Sequence, residues 1–432
     1  MAKTTSKDYR NKIIYQIFPR QYSASHSLNG VTSDLERIKS LGVDIIYLMP
    51  IHPIGEVDRK GSMGSPYSIK DYRAIDKNLG SVHDLIELIN KTHKLGMKII
   101  LDVVFNHTSK DSLLSKMEPS WFYQNENGEF KNRVGDWSDI TDLKFNDEHL
   151  YLYLIETLKM YVSLGIDGFR FDVCSLIPYS FFEIALPVLK NINKDLFFFG
   201  ESVHLGFAKY LRDLGYEVSS EGELYNLFDC LYEYDSYDYL EKYMKGECSI
   251  SLYLNKVLEQ EVIFPSNYVK ARYIENHDFG SANGYLNDGI RTKNLLVLSY
   301  FVRGMSFLYN GIETLTKKRP NLFEIDEIDW SEYNTLNIVD LIKKLNQIKK
   351  HHLFKDGAWS YKLINEEVVI LSFEDLNEKI LAICNLNHFK DSIYIEEIND
   401  GEYLDLISDS PISISNHLYK ITDDPVIIQI KK

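Results

Sequence analysis

The stretch Gly168-Phe169-Arg170-Phe171-Asp172-Val173 is the best starting point for predicting the fold of this chain. It is short and mostly apolar, which predicts a buried β-strand that ends near Asp172. Side chains alternate along a strand, so Arg170 and Asp172 lie on the same face. A guanidinium this close favours the ionised carboxylate and orients it. The stretch therefore predicts a strand that ends in a carboxylate prepared to act as a nucleophile.

Two further acids follow apolar runs in the same way. Glu201 comes after residues 196–200, and Asp278 comes after residues 274–277. A single acid at a strand end is just as typical of a turn or capping carboxylate. Three acids in this position are better explained by glycoside chemistry, in which carboxyl groups act together. The pattern therefore predicts a sugar-cleaving site that contains Asp172, Glu201 and Asp278.

Apolar runs alternate with amphipathic helices through most of the chain. The predicted strands are residues 13–19, 44–50, 98–105, 168–173, 196–202, 225–231, 269–276 and 305–310. Two Ser-x-x-acid patterns, Ser33 with Glu36 and Ser81 with Asp84, predict the starts of helices. Strands that alternate with helices form a parallel sheet, and eight of them most simply close into a (β/α)8 TIM barrel.

An open, doubly wound parallel sheet is the alternative to the barrel. Such a sheet normally has a glycine-rich turn after its first strand, whereas this chain has Phe18-Pro19-Arg20-Gln21-Tyr22 there. In a barrel the C-terminal ends of all strands meet at one face. Asp172, Glu201 and Asp278 would then converge, although they are far apart in the sequence, and this favours the barrel.

Two segments interrupt the alternation. Residues 108–146 are polar and aromatic, and a connection this long is usually functional, so we expect a small inserted subdomain that covers the active face. From about residue 354 short β-rich runs replace the helices, which predicts an antiparallel β-sandwich domain. The predicted division is a barrel in two parts, 1–107 and 147–353, with the insert 108–146 and a C-terminal domain 354–432.

Composition restricts the partners. The 432 residues carry a net charge of −15 without a basic stripe, so we do not expect nucleic acid as a partner. No apolar run approaches the length of a membrane span. The four cysteines show no paired spacing, which indicates reduced thiols rather than disulfides. The first ten residues lack the apolar segment of a secretory signal. We therefore expect a cytoplasmic protein, or a secreted one if a leader has been removed.

Four short blocks, in order along the chain, carry a resemblance to a known family. They are residues 102–107, 168–172, 200–201 and 276–278, each at the end of a predicted strand. A fifth similarity is Tyr67, in the loop after the second strand. On these residues the chain resembles the α-amylase family of glycoside hydrolases. The resemblance extends over the barrel and the insert, and the trailing β domain is in the family's usual place.

The resemblance implies a role for each acid. Asp172 would be the nucleophile, Glu201 the general acid and base, and Asp278 the residue that stabilises the transition state. This retaining chemistry needs two carboxyl groups about 5–5.5 Å apart, with the pKa of Glu201 raised relative to that of Asp172. The other residues implied are Tyr67, His107, Arg170 and His277 for substrate binding and Asp102 for support of Arg170.

The chemistry needs no cofactor, but the resemblance raises the question of a structural calcium ion. Many family members have a Lys-His pair three and four positions after the nucleophile, and the His carbonyl commonly helps to hold calcium. This chain has Ser175 and Leu176 there. A backbone carbonyl survives the change, so a calcium ion with Asn106 and Asp142 among its oxygen ligands stays compatible with the sequence.

The predicted function is the retaining hydrolysis of α-1,4 bonds in starch-type or glycogen-type glucans or in maltooligosaccharides. An α-1,6-glucosidase or a glucan transglycosylase would use the same machinery, and residues 140–144 match neither the commonest exo-acting α-1,6 pattern nor that of typical endo-amylases. A non-catalytic interaction protein on the same barrel is disfavoured because all three acids are present. Endo or exo action and the oligomeric state stay open.

Overall fold

A closed barrel of eight parallel strands forms the centre of the protein. The structure is a computed structural model that describes residues 5–432. The first four residues of the segment examined for a secretory signal lie outside the described residues. The barrel strands are β1 (Ile13–Ile17), β2 (Ile45–Leu48), β3 (Lys98–Val103), β4 (Gly168–Phe171), β5 (Phe197–Gly200), β6 (Cys230–Tyr232), β7 (Lys270–Arg272) and β8 (Met305–Tyr309).

Each strand pairs with its neighbours in chain order, and β8 closes against β1. The predicted (β/α)8 TIM barrel is confirmed. Large rings fill its interior: the ring centroid of Tyr232 lies 4.5 Å from that of Phe199 and 5.7 Å from that of Phe307. The barrel is thus a packed core with its site at the mouth.

The sixth strand differs most from its prediction. Residues 225–231 were expected to be extended, but β6 begins only at Cys230. Before it, the helix Glu221–Leu224 ends in a turn, and the backbone N–H groups of Leu227 and Phe228 both donate to Leu224 O at 2.9 Å. An apolar run shows that residues are buried, but it does not distinguish a strand from a buried turn.

Helices surround the barrel and connect its strands. Their bounds are Pro19–Tyr22, Leu28–Ser40, Val82–Lys94, Leu113–Met117, Glu148–Leu164, Tyr179–Ile192, Leu205–Asp213, Glu221–Leu224, Tyr237–Met244, Ile250–Ile263, Ala282–Leu286, Gly289–Tyr300, Ile338–Ile348 and Leu353–Asp356. Nearly every barrel-strand residue is buried, because the helices cover one face of the sheet and the barrel interior covers the other. No helix within residues 5–432 has both the length and the apolar character needed to cross a membrane.

The insert after β3 is held to the barrel mouth by a short antiparallel pair of strands, His107–Ser109 and Ile140–Asp142. Just past this pair, Leu143 N donates to Asn106 O at 3.0 Å. The insert therefore begins and ends beside the C-terminal end of β3, where the predicted site lies.

The C-terminal domain is antiparallel, as predicted. Its main sheet contains Ala358–Ile364, Val368–Glu374, Glu378–Asn385 and Val426–Lys431. Two hairpin-like pairs complete it, Ser392–Tyr394 with Leu418–Lys420 and Gly401–Asp405 with Ser410–Ile414. The domain contacts the barrel directly, since Trp359 Nε1 donates to Phe301 O at 2.7 Å.

Candidate active site

The chain turns sharply at the end of β4, directly after Asp172. Asp172 N donates to Val103 O at 3.0 Å, which continues the pairing with β3 by one residue. Val173 then adopts a left-handed conformation, with φ +34° and ψ +46°, which is unusual for a β-branched residue. Its N–H donates to Glu201 Oε2 at 2.6 Å. The strained turn thus places the Asp172 carboxylate at the barrel mouth and fixes Glu201 beside it.

Arg170 connects three carboxyl groups from three adjacent strands. It is fully buried and lies opposite Asp102 in the register of β3 and β4. Its Nη1 lies 2.7 Å from Asp102 Oδ1 and 3.0 Å from Asp172 Oδ1, and its Nη2 lies 2.8 Å from Glu201 Oε2. Asp102 is therefore placed where it supports Arg170, and the guanidinium brings Asp172 and Glu201 to one point.

Tyr234, just past β6, links Glu201 to Asp278. Its hydroxyl oxygen lies 3.1 Å from Glu201 Oε1 and 2.8 Å from Asp278 Oδ2. A hydroxyl has one proton, so it donates to only one of two carboxylates at a time. Both contacts are satisfied when Glu201 is protonated and donates to Tyr234 while Tyr234 donates to Asp278. The geometry therefore fits a neutral Glu201 beside an ionised Asp278.

His277 lies between the third acid and the ring of Tyr67. The Gln16 amide nitrogen lies 2.8 Å from Nδ1 and donates to it, so the ring proton is on Nε2. Nε2 lies 2.5 Å from Tyr67 Oη and 3.3 Å from Asp278 Oδ2. Tyr67 stacks on His277 and donates its own proton to Asp102 Oδ2 at 3.1 Å. This hydrogen-bonded chain holds both rings at the barrel mouth.

The insert supplies one wall of the cleft in front of the acids. Trp137, Asp139 and Ile140 line it together with His107, and its volume is about 420 Å³. The ring of His107 lies 5.7 Å from that of Trp137, and its Nδ1 is 3.1 Å from the Asn106 amide nitrogen. Burial lowers the pKa of His107 to about 4, and it does the same to His277. Both rings are neutral at pH 7.

The pKa shifts of the acids agree with the hydrogen bonds. Burial raises the pKa of Glu201 to about 7. Burial would also raise the pKa of Asp278, but His277, Arg170 and the hydrogen bond from Tyr234 together hold it below its ordinary value. At neutral pH, Glu201 is therefore poised to carry a proton, and Asp278 is ionised.

Burial, reinforced by the nearby charge of Glu201, also raises the pKa of Asp172 well above its usual range. From the resemblance we expect a higher pKa for Glu201 than for Asp172, whereas burial raises the pKa of both. Two facing carboxyl groups titrate as a pair that shares one proton. Arg170 contacts both carboxyl groups and does not distinguish them. Tyr234 offers an acceptor for a proton on Glu201, so this hydrogen bond favours the proton on Glu201.

Two residues of this region had no signal in the sequence analysis. Tyr234 was missed because it lies in the loop after β6, outside the short blocks that drew attention to the acids; the end of the sixth strand itself was predicted to within one residue. Arg133, in the insert, contacts Asn106 and Asp142, the two residues considered as calcium ligands. A lone arginine in a polar loop forms no pattern, so only the fold reveals this contact.

Two family models match the sequence. The model described as "Alpha amylase, catalytic domain" matches residues 16–117 and 112–355. The model described as "Bacterial Alpha amylase C-terminal domain" matches residues 361–428. The first match covers the barrel with its insert, and the second covers most of the antiparallel domain.

Known proteins agree with these matches. The crystal structure of an α-amylase from Lactobacillus plantarum is 36% identical with a TM-score of 0.92, and the match covers 98% of this chain and 100% of that one. Alpha-amylase 3 of Dictyoglomus thermophilum is 24% identical over 92% of this chain and 89% of its own length. An oligo-1,6-glucosidase of Bacillus cereus is 23% identical over 76% of this chain and 69% of its own length.

Proposed function

Because this chain belongs to the α-amylase family of glycoside hydrolases, we propose that it hydrolyses α-1,4 bonds of starch-type or glycogen-type glucans or of maltooligosaccharides with retention of configuration. The observation that carries the proposal is the position of Arg170, which binds both Asp172 and Glu201. Two carboxyl groups held by one guanidinium lie close enough to act on one sugar, as a double displacement requires.

In the first half of the proposed reaction, Asp172 attacks the anomeric carbon. The bond to the leaving sugar breaks as a covalent glycosyl-enzyme forms, and Glu201 donates its proton to the departing oxygen. The positive charge that develops on the sugar lies near the ionised Asp278. Because the site is buried, this interaction is stronger than it would be in water.

In the second half, the ionised Glu201 removes a proton from a water molecule. The oxygen of that water attacks the anomeric carbon, the bond to Asp172 breaks, and Glu201 again carries a proton. A sugar hydroxyl in place of water gives transglycosylation by the same steps. The neutral His107 and His277 donate hydrogen bonds to sugar hydroxyls at this position, and the Tyr67 ring offers an apolar face to the sugar.

The nucleophile assignment is tested by Asp172→Asn. We expect turnover of a blocked maltooligosaccharide to fall about a thousandfold or more, because the amide forms no glycosyl-enzyme. The melting temperature should stay near that of the parent protein, since Asn keeps the shape of the side chain. Retention of more than a few per cent of the activity would remove Asp172 from this role.

The linkage is tested by the product profile on linear maltooligosaccharides, pullulan and isomaltose. Cleavage of the linear chains with little release from isomaltose is the expected result. Preferential hydrolysis of isomaltose would instead support an α-1,6-glucosidase, and products longer than the substrate would support a transglycosylase. A pure protein that hydrolyses none of these substrates but binds another protein tightly would favour a non-catalytic role.

A further inference from the structure

The guanidinium of Arg133 lies among the oxygen atoms considered above as calcium ligands. Its Nη1 donates to Leu176 O at 3.0 Å, its Nε donates to Asp142 Oδ2 at 3.1 Å, and its Nη2 donates to Asn106 Oδ1. The backbone N–H of Arg133 adds a 2.7 Å hydrogen bond to Asp142 Oδ2. Three oxygen atoms from three separate segments thus converge on one cation that is part of the chain.

These residues do not fit a calcium ion while Arg133 is present. Calcium takes six to eight oxygen ligands. Here the Asn106, Asp142 and Leu176 oxygens already accept from Arg133, and of this set Asp142 Oδ1 is the buried oxygen left without a partner in the described residues 5–432. The Arg133 and Asp142 side chains are 6% and 1% exposed. A divalent ion beside this buried guanidinium would face like charge with little water to screen it.

Two aromatic rings hold the guanidinium in place. The Arg133 guanidinium carbon lies 5.3 Å from the ring centroid of Tyr123 and 5.9 Å from that of Tyr216. Tyr123 belongs to the insert, whereas Tyr216 follows the helix Leu205–Asp213 of the barrel. Cation–π contacts on a partly desolvated site are favourable, so the cation is stabilised by both units.

We propose that Arg133 takes the place of a structural calcium ion and ties the insert to the barrel mouth. Each of its acceptors lies where that link matters. Asn106 precedes His107 in the cleft, Asp142 ends the second strand of the insert, and Leu176 follows the turn after Asp172. A planar cation with several N–H donors binds such oxygens without any metal.

The first experiment uses the unaltered protein. We expect less than about 0.1 calcium ion per chain after purification from calcium-containing buffer. Neither EGTA nor added calcium should change the melting temperature, because the positive charge belongs to the Arg133 side chain and cannot dissociate. Calcium bound at one ion per chain, with a melting temperature that falls in EGTA, would overturn the proposal.

The second experiment removes the charge with Arg133→Gln. We expect the melting temperature to fall by about 5 °C, because Asp142 is left as a buried, unpaired anion. Millimolar calcium should restore part of this loss in Arg133→Gln but not in Arg133→Lys, which keeps a cation at the site. A folded Arg133→Gln protein that does not respond to calcium would overturn the equivalence between the guanidinium and the ion.

Arg303→Gln is the matched control. Arg303 is about as buried as Arg133, and its Nε lies 2.7 Å from Glu261 Oε1. Its Nη2 donates to Gly357 O at 2.8 Å, at the start of the C-terminal domain. Glu261 is 24% exposed, so its unpaired charge is partly hydrated, and we expect a smaller loss of stability without any response to calcium. A calcium response in Arg303→Gln equal to that of Arg133→Gln would show a general effect of the ion, and the proposal would fail.

Discussion

At the scale of single residues, the site depends on which carboxyl group holds a proton. Three carboxyl groups lie around Arg170. Because they are buried, repulsion among their negative charges favours a state in which one of them is protonated. The hydrogen-bonded path from Glu201 through Tyr234 to Asp278 selects Glu201 for that proton. The acids themselves were predictable from short sequence blocks, whereas this path was not, because Tyr234 lies in the loop after β6, outside those blocks.

The pH dependence follows from the pKa of about 7 for Glu201. The proton of Glu201 must be present for the first step, so we expect kcat/KM to fall as the pH rises through about 7. At low pH a second proton on the coupled pair neutralises Asp172, and the rate falls again. The profile is measured on a blocked maltooligosaccharide, whose leaving group is a sugar that needs the proton of Glu201.

Glu201→Gln provides the control for this assignment. On an activated aryl glycoside, whose leaving group needs no proton, we expect the variant to keep more of its glycosylation rate than on a maltooligosaccharide and to lose the alkaline limb. An equal loss on both substrates, or an unchanged alkaline limb, would contradict the role of Glu201 as the acid.

Tyr234→Phe tests the hydrogen-bonded path. Loss of the hydroxyl removes the acceptor of the Glu201 proton, so we expect the alkaline limb to move to lower pH. Hydrogen bonds of about 1–1.5 kcal/mol predict a roughly tenfold lower kcat/KM. Tyr273→Phe is the matched control, since the Tyr273 hydroxyl is buried without a hydrogen-bond partner in the described part of the chain. Equal profiles for the two variants would refute the path.

At the scale of secondary structure, two similar sequence patterns have different outcomes. Ser81 accepts from Asp84 N and Asp84 accepts from Ser81 N, so the predicted capping box is confirmed at the start of Val82–Lys94. The box predicted at Ser33 with Glu36 is wrong. Ser33 lies inside the helix Leu28–Ser40 and donates to Asn29 O at 2.7 Å. The local pattern is the same, but here the N-cap is Ser27, six residues earlier, which is nearly two turns of helix.

This difference predicts opposite effects of one substitution. Ser81→Ala should lower the free energy of unfolding by about 1 kcal/mol, because it leaves an N-terminal N–H without its partner. Ser33→Ala should be neutral or slightly stabilising, since alanine favours a helix interior. Chemical denaturation measures both changes, and equal effects of the two substitutions would contradict the assignment of the helix starts.

At the scale of the whole molecule, the barrel and the C-terminal domain share one apolar core. Buried residues of the C-terminal sheet, Phe373 among them, belong to the same hydrophobic cluster as the barrel. The ring centroids of Phe373 and Phe354 are 4.9 Å apart, and the Arg303 guanidinium carbon lies 5.5 Å from the ring centroid of Phe373. A second cluster, which contains Ile393, lies on the other face of the sheet.

A shared core predicts that the two units unfold together. Calorimetry should show one transition, and Phe373→Ala should lower its midpoint with a loss of about 3–5 kcal/mol. Ile393→Ala lies in the second cluster and serves as the comparison. It should lower the same transition without splitting it. Two resolved transitions in either variant would show that the domains are independent.

The sequence by itself determined the order of strands and helices, the barrel and the three acids at strand ends, because periodicity and strand termini are local properties. Only the tertiary structure decided which side chains meet across segments. The Tyr234 hydroxyl contacts both Glu201 and Asp278. The Arg133 guanidinium binds the oxygens of Asn106 and Asp142 that the sequence left open as calcium ligands. Such contacts depend on the paths of turns and long loops, and these follow from packing of the whole chain, which no local pattern contains.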